Sequence, residues 1–282
     1  MKQRGAKATS LKAKIKNIAK EKRVAPQLIL QNFMMERFLN RIATSSYKDC
    51  FIIKGGSLIS VILGIENRTT MDIDMTSRGF SFNEKSVQGI IQDISLIDLQ
   101  DDTFFEIKKC EPIREDDAYG GFRVFIDGFY ESKFLVVPFT IDITTGDVVT
   151  PEPQKRSWVN LCNAQESFEL WTYTLETIVA EKIESILSKG VLNTRPRDFY
   201  DVYMLSKLKK FNGKRFSLAL KKTCEHRKSW DQVKNAVEHF VDIENSGNLK
   251  QFWERYAKSN SYAANIGYND IVAVIKNLLT AI

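Results

Sequence analysis

Apolar positions recur along this chain with two periods, and the change from one to the other divides it. Leu11, Ile15, Ile18 and Ala19 form one stripe of a helix over residues 9–22, which Thr9 or Ser10 can cap. After a break at Pro26, Leu28, Leu30, Phe33, Met34, Phe38, Leu39 and Ile42 set a second amphipathic helix over 26–44. Phe51-Ile52-Ile53 reads as a short buried strand ending at Lys54-Gly55-Gly56, and a helix follows from Ser57 to Leu63. Strands are predicted at Thr70–Met75, Phe104–Lys109, Phe122–Tyr130 and Phe134–Ile143, with a helix over 84–99 and a turn at Tyr119-Gly120-Gly121. Beyond Thr150-Pro151-Glu152-Pro153 a linking region runs to Trp171. From Thr174 the period is helical, at 174–189, 196–209, 215–225, 229–242, 247–258 and 268–281. The pattern implies an α+β fold: a mixed-sheet core with flanking helices over residues 1–150, then a mainly helical C-terminal domain over 151–282.

Composition narrows the class. With 43% apolar residues in 282, the chain can bury a real core. No apolar run reaches the roughly 18 residues of a membrane span, and the Lys-rich start lacks the apolar core of a signal peptide, so a cytoplasmic protein without membrane contact is expected. Cys50, Cys110, Cys162 and Cys224 form no C-x-x-C pair, which argues against zinc. The only histidines, His226 and His239, lie far from the candidate site in sequence. Charge is uneven. Residues 1–23 and 207–228 each hold nine Lys/Arg and one acid, so with a net charge of +6 the remainder carries −10. Two basic flanks around an acidic centre suit an enzyme that grips a polyanion; taken singly, each flank reads equally well as a solvated helix face.

The acidic centre holds the candidate chemistry. In a strand, residues i and i+2 share a side, so Asp72 and Asp74 project together, while Met71, Ile73 and Met75 face the opposite layer. Close carboxylates repel unless a cation lies between them, and Mg2+ (or Mn2+) suits oxygen donors. Asp142, at the end of the Phe134–Ile143 strand, offers a third oxygen donor on a neighbouring strand, and three such acids make a two-metal site. Lys54-Gly55-Gly56-Ser57, between a strand and a helix start, is a candidate nucleotide-binding stretch, since glycine permits close backbone approach and a helix N-terminus favours phosphate. Arg68, ahead of the D-x-D strand, Arg123, after the glycine turn, and Arg195 or Arg197, at a helix start, are candidate RNA or phosphate contacts.

The order strand, Gly-Ser, helix, D-x-D strand and late acid resembles the DNA polymerase β-like nucleotidyltransferases. A narrower resemblance spans most of the chain. Met35-Glu36-Arg37-Phe38-Leu39, Phe51-Ile52-Ile53-Lys54-Gly55-Gly56 and Arg68-Thr69-Thr70-Met71-Asp72-Ile73-Asp74 are similar to segments of the AbiEii family. So are Tyr119-Gly120-Gly121-Phe122-Arg123, Ile141-Asp142-Ile143-Thr144-Thr145-Gly146-Asp147, Leu175-Glu176-Thr177-Ile178-Val179-Ala180-Glu181-Lys182 and Asn193-Thr194-Arg195-Pro196-Arg197-Asp198-Phe199-Tyr200-Asp201. The resemblance implies the toxin of a bacterial abortive-infection (phage resistance) toxin–antitoxin system. It would be a metal-dependent enzyme taking NTP as substrate and transferring NMP to RNA at the tRNA 3′ end. Its partner would be a winged-helix antitoxin that acts without a stable complex or by weak contact. Ser57, Asp72 and Asp74 would then form the nucleotide–metal site, Lys182 would touch the triphosphate and act catalytically, and Asp198 would be the late catalytic acid, with Asp201 as the alternative. Two other readings use the same residues: transfer of NMP to a protein side chain, or nucleotide and RNA binding without chemistry.

Overall fold

A computed structural model describes residues 6–113, 120–208 and 212–280. Tyr119, Lys209, Lys210 and the first five residues, which the sequence reading used, lie outside the described residues. The chain divides into two compact units, Met1–Asp147 with Gln154–Thr172, and Val148–Pro153 with Tyr173–Ile282.

The first unit is built on a seven-stranded mixed sheet of order β3-β4-β5-β2-β1-β7-β6. Its elements are α1 (Ala6–Lys22), α2 (Pro26–Thr44), β1 (Phe51–Lys54), α3 (Gly55–Leu63), β2 (Asp72–Ser77), α4 (Glu84–Ser95), β3 (Thr103–Ile113), β4 (Gly121–Tyr130), β5 (Ser132–Thr145), β6 (Gln154–Val159) and β7 (Ser167–Thr172). One face of the sheet packs on α2, where Phe38 meets Phe105 and Phe139 edge-on at 5.2 and 5.9 Å between ring centres. Ile73, Met75, Val124, Ile141 and Ile143 point into this layer and are buried. Met71 does not join them: it precedes β2 and is exposed, so the apolar alternation starts at Ile73.

Two polar residues on the buried side of α2 anchor the segment leading into the D-x-D strand. Gln31 Nε2 donates to the carbonyls of Met71 and Pro138, and Asn32 Nδ2 to that of Thr70. These bonds tie α2 to the backbone just before β2 and to β5. Arg41 is buried as well. It holds Asp101 through both nitrogens at 3.0 and 2.9 Å and donates to the carbonyls of Ile97 and Thr103, pinning the α4–β3 loop to α2.

Two local expectations change. Helix α1 starts at Ala6, so Thr9 and Ser10 lie inside it; the Ala8 amide is satisfied by the Glu131 carboxylate instead, an acid from the β4–β5 turn. The stretch read as a linking region forms the β6–β7 hairpin, whose β7 runs parallel beside β1 with Ile53 opposite Thr172. The edge strand β6 opens with Gln154, Lys155, Arg156 and Ser157, a polar run suited to a sheet edge.

The second unit is helical: α5 (Leu175–Lys189), α6 (Pro196–Leu208), α7 (Gly213–Arg227), α8 (Trp230–Glu238), α9 (Phe240–Glu244), α10 (Gly247–Ser259) and α11 (Tyr268–Leu279). Thr174, expected as the first residue of the helix, stands just before it and caps α5 by accepting from the Thr177 amide. The single helix expected over 229–242 is broken at His239 into α8 and α9. No helix among the described residues is long and apolar enough to cross a membrane.

Candidate active site

On the sheet face opposite α2, four charged residues stand in direct register across four strands. Lys54 on β1 pairs with Asp74 on β2, Asp74 with Asp142 on β5, and Asp142 with Arg123 on β4. Register partners project from the same face, so two carboxylates lie between two cations, with Asp72 on the same side two residues before Asp74.

Each acid has a distinct environment. Asp142 is clamped by Arg123, whose Nε and Nη2 each donate at 2.7 Å to separate carboxylate oxygens. That bond, then the charges of Asp142, Asp72 and Asp74, raise the Arg123 pKa further. Asp72 accepts from the Thr70 hydroxyl at 2.5 Å. Asp74 is half-buried and accepts from the Gly56 amide at 3.0 Å. Burial first, and then the negative charge of Asp72, push its pKa up to about 6. The third acid stands on the strand expected for it. Convergence of three side chains on one ion is not observed: among the described residues no three or more carboxylates, thiols or imidazoles are grouped to hold a metal, and both oxygens of Asp142 are taken by Arg123.

The glycine stretch fits around Asp74. Gly55 has φ +58°, and a Cβ there would lie 2.1 Å from Asp74 Oδ2, so both backbone conformation and space demand glycine. A Cβ on Gly56 would come within 2.8 Å of Thr70 Oγ1 and 3.4 Å of Arg68 Nη2. Arg68 is therefore not an extended loop arginine. It is buried beside the start of α3 and donates to the Thr69 carbonyl. Ser57 is buried too, its hydroxyl donating to the Lys54 carbonyl at 3.3 Å. Lys54 donates to Asp147 at 2.6 Å and to Thr144 at 2.7 Å. Burial alone would raise the Asp147 pKa, but the Lys54 charge and the Lys54, Thr144 and Thr76 hydrogen bonds outweigh it and hold the carboxyl below its usual range. The sequence reading assigned Thr70, Thr144 and Asp147 no role. Thr144 follows Asp142 at the two-residue spacing of one strand face, a signal that was there to use.

In the second unit the two candidate late acids prove to be partners of one lysine. Lys182 Nζ lies 2.7 Å from Asp198 Oδ1 and 2.8 Å from Asp201 Oδ2, both acids being fully buried. Arg195 Nε meets the other oxygen of Asp198 at 2.8 Å. The anion that accommodates an arginine at this helix start is thus Asp198 itself. Arg197 is exposed, with no ion pair among the described residues.

JHP933 from Helicobacter pylori aligns at a TM-score of 0.47 and 13% identity over 91% of each chain. An antigenic nucleotidyltransferase-like protein from Paracoccidioides brasiliensis aligns at 0.44 and 13%, over 72% of this chain and 92% of its own. No curated protein matches the chain. Residues 37–272 match the family model described as "Nucleotidyl transferase AbiEii toxin, Type IV TA system", which takes in the D-x-D strand, the glycine stretch, Arg123, Asp142 and the Lys182–Asp198–Asp201 cluster. The chain belongs to the AbiEii family of nucleotidyltransferase toxins of type IV toxin–antitoxin systems.

Proposed function

We propose that the protein transfers NMP from an NTP to an RNA hydroxyl, at the 3′ end of a tRNA, with pyrophosphate as the leaving group. The observation that carries this reading is the row Lys54–Asp74–Asp142–Arg123, with Asp72 on the same face and the glycine-lined start of α3 beside it.

The donor set fits Mg2+ or Mn2+. Its oxygens are all carboxylate, the preference of a hard cation, and Asp72 and Asp74 stand two residues apart on one strand face, with Asp142 in register beside Asp74. Asp72 and Asp74 would hold the ion, joined by Asp142 when Arg123 lets it go. When bound, such an ion neutralises phosphate charge and lowers the pKa of an attacking hydroxyl. The protein's own work is positioning. Gly55 and Gly56 keep side chains away from the phosphate approach, and Arg68 sets a cation beside the first turn of α3. Arg123, once it turns from Asp142, is a planar donor suited to a triphosphate oxygen. Lys182, held between Asp198 and Asp201, is the proposed functional lysine of the second unit.

In the cell this chemistry would serve abortive infection from the cytoplasm, opposed by a winged-helix antitoxin that acts without a stable complex or by weak contact. Purified protein incubated with each labelled NTP in turn, with total RNA in one arm and total protein in the other, tests the reaction. Label entering RNA from one or two NTPs supports it; label entering protein alone, or nucleotide bound with no pyrophosphate released, overturns it.

A further inference from the structure

The face that carries Asp74 continues across β1 to β7, and there it bears a tryptophan between two cations. Ile53 is opposite Thr172 and lies on the buried side with Met75. Trp171, one residue earlier on β7, therefore projects on the side of Lys54 and Asp74. Two strand spacings, roughly 10 Å, separate β7 from β2. Lys155 on β6 is the direct register partner of Trp171, and its Nζ lies 5.4 Å from the ring centre. Arg78, just past the end of β2, places its guanidinium 5.2 Å from the same ring. Two bonds fix the arrangement: the indole N–H donates to the Asp49 carboxylate at 2.7 Å, and Arg78 Nε to the Asp49 carbonyl at 2.8 Å.

Both cations are exposed, and among the described residues neither has an ion-pair partner. The indole is only partly covered. Asp49 and Glu169 also reach this surface, but the Asp49 carboxylate is engaged by the indole. An aromatic ring on a rigid strand flanked by unpaired cations is the chemistry that holds single-stranded nucleic acid, through base stacking and phosphate contact. Lys155 comes from β6 and Arg78 from the end of β2, which lie on opposite sides of β7 in the sheet order, and this makes a track. A track suits successive phosphates of a strand, whereas the clustered phosphates of an NTP suit the start of α3.

We propose that Trp171, with Arg78 and Lys155, is a stacking platform for the single-stranded end of the RNA acceptor as it leads to the carboxylates. The proposal rests on the reading that the acceptor is RNA. The platform stacks a base near the 3′ end, and the two cations neutralise phosphates on either side of it.

The test uses the full chain and a fluorescently labelled single-stranded RNA oligonucleotide, read by anisotropy, with NTP binding measured in parallel. Trp171→Ala should weaken RNA binding about tenfold, and Trp171→Phe, which keeps a stacking ring, should recover most of it. Lys155→Glu, a change at an exposed position, should weaken binding and lower the slope of log Kd against log salt by about one. NTP binding should be unchanged in all three. RNA binding equal to wild type in Trp171→Ala and Lys155→Glu overturns the platform, as does a wild-type chain that binds no RNA. Loss of NTP binding in Trp171→Ala with RNA binding intact would reassign the ring to the nucleotide substrate and also overturn it. Label transfer by wild type decides the acceptor separately: RNA labelled normally by Trp171→Ala rejects the platform alone, whereas label found only in protein rejects the RNA reading.

Discussion

Arg123 and Asp142 face each other across β4 and β5 and are joined by two parallel hydrogen bonds of 2.7 Å, so that an arginine occupies the acid expected to bind metal. The pair is partly open to solvent on the arginine side, with Arg123 42% and Asp142 15% exposed, so the arginine is free to turn away. Arg123→Ala should therefore tighten Mn2+ binding to the nucleotide-free protein several-fold, measured by isothermal titration calorimetry, because the ion no longer competes with a guanidinium. Weaker or unchanged Mn2+ binding would show that Asp142 does not serve the ion.

Gly55 makes room for Asp74. A methyl group at a φ of +58°, 2.1 Å from the carboxylate oxygen, forces the acid to move as well as straining the backbone by about 1–2 kcal/mol. Gly55→Ala should lower the melting temperature and abolish labelled-NTP incorporation. The neutral control is Gly213→Ala, where nothing lies within 4 Å of the added carbon. Full activity in Gly55→Ala would contradict the close fit.

The ion pair of buried Lys54 with half-buried Asp147 gives the first unit an acid-sensitive contact. Asp147 has a folded pKa below its ordinary 3.8, so its stabilisation is complete above about pH 4 and is lost as pH falls through the lower folded value. Denaturant melts between pH 6 and pH 2 should show this loss, and Asp147→Asn should flatten it while destabilising the protein at neutral pH by roughly 3–5 kcal/mol, the cost of removing one member of a buried ion pair. An unchanged pH profile in Asp147→Asn would exclude the pair as a source.

Lys182 sits between two buried acids, so losing it exposes their repulsion. Lys182→Met should lower the melting temperature clearly, whereas Arg197→Ala, at an exposed residue without an ion pair, should leave it within a degree or two. Combining Lys182→Met with Asp201→Asn should recover part of the loss, since it removes one of the two stranded charges. Equal melting temperatures for wild type and Lys182→Met would mean that the cluster does not act as a unit.

The sequence made legible whatever depends on local periodicity. The alternation of Ile73 and Met75 with Asp72 and Asp74 revealed the strand and its acidic face, and the apolar stripe of α2 revealed the helix beneath the sheet. Gly55 and Gly56 were legible as a turn, though not the reason for them, because Asp74 lies 19 and 18 residues further along the chain and only strand pairing brings it back. The same limit hid the Arg123–Asp142 clamp, which depends on the register of β4 on β5. The β6–β7 hairpin was missed for a different reason. Gln154-Lys155-Arg156-Ser157 lacks an apolar alternation, and its edge position leaves Gln154, Lys155 and Ser157 exposed to water. Trp171, read as the end of a linking region, thereby lost its context.

Asp72 and Asp74 are the residues proposed to carry the chemistry of nucleotide transfer. Labelled-NTP incorporation into RNA by Asp72→Ala and Asp74→Asn, with folding checked by circular dichroism, tests it most directly. Both variants should fold, incorporate no label and no longer inhibit growth; incorporation at the wild-type rate by either one would remove that residue from the chemistry.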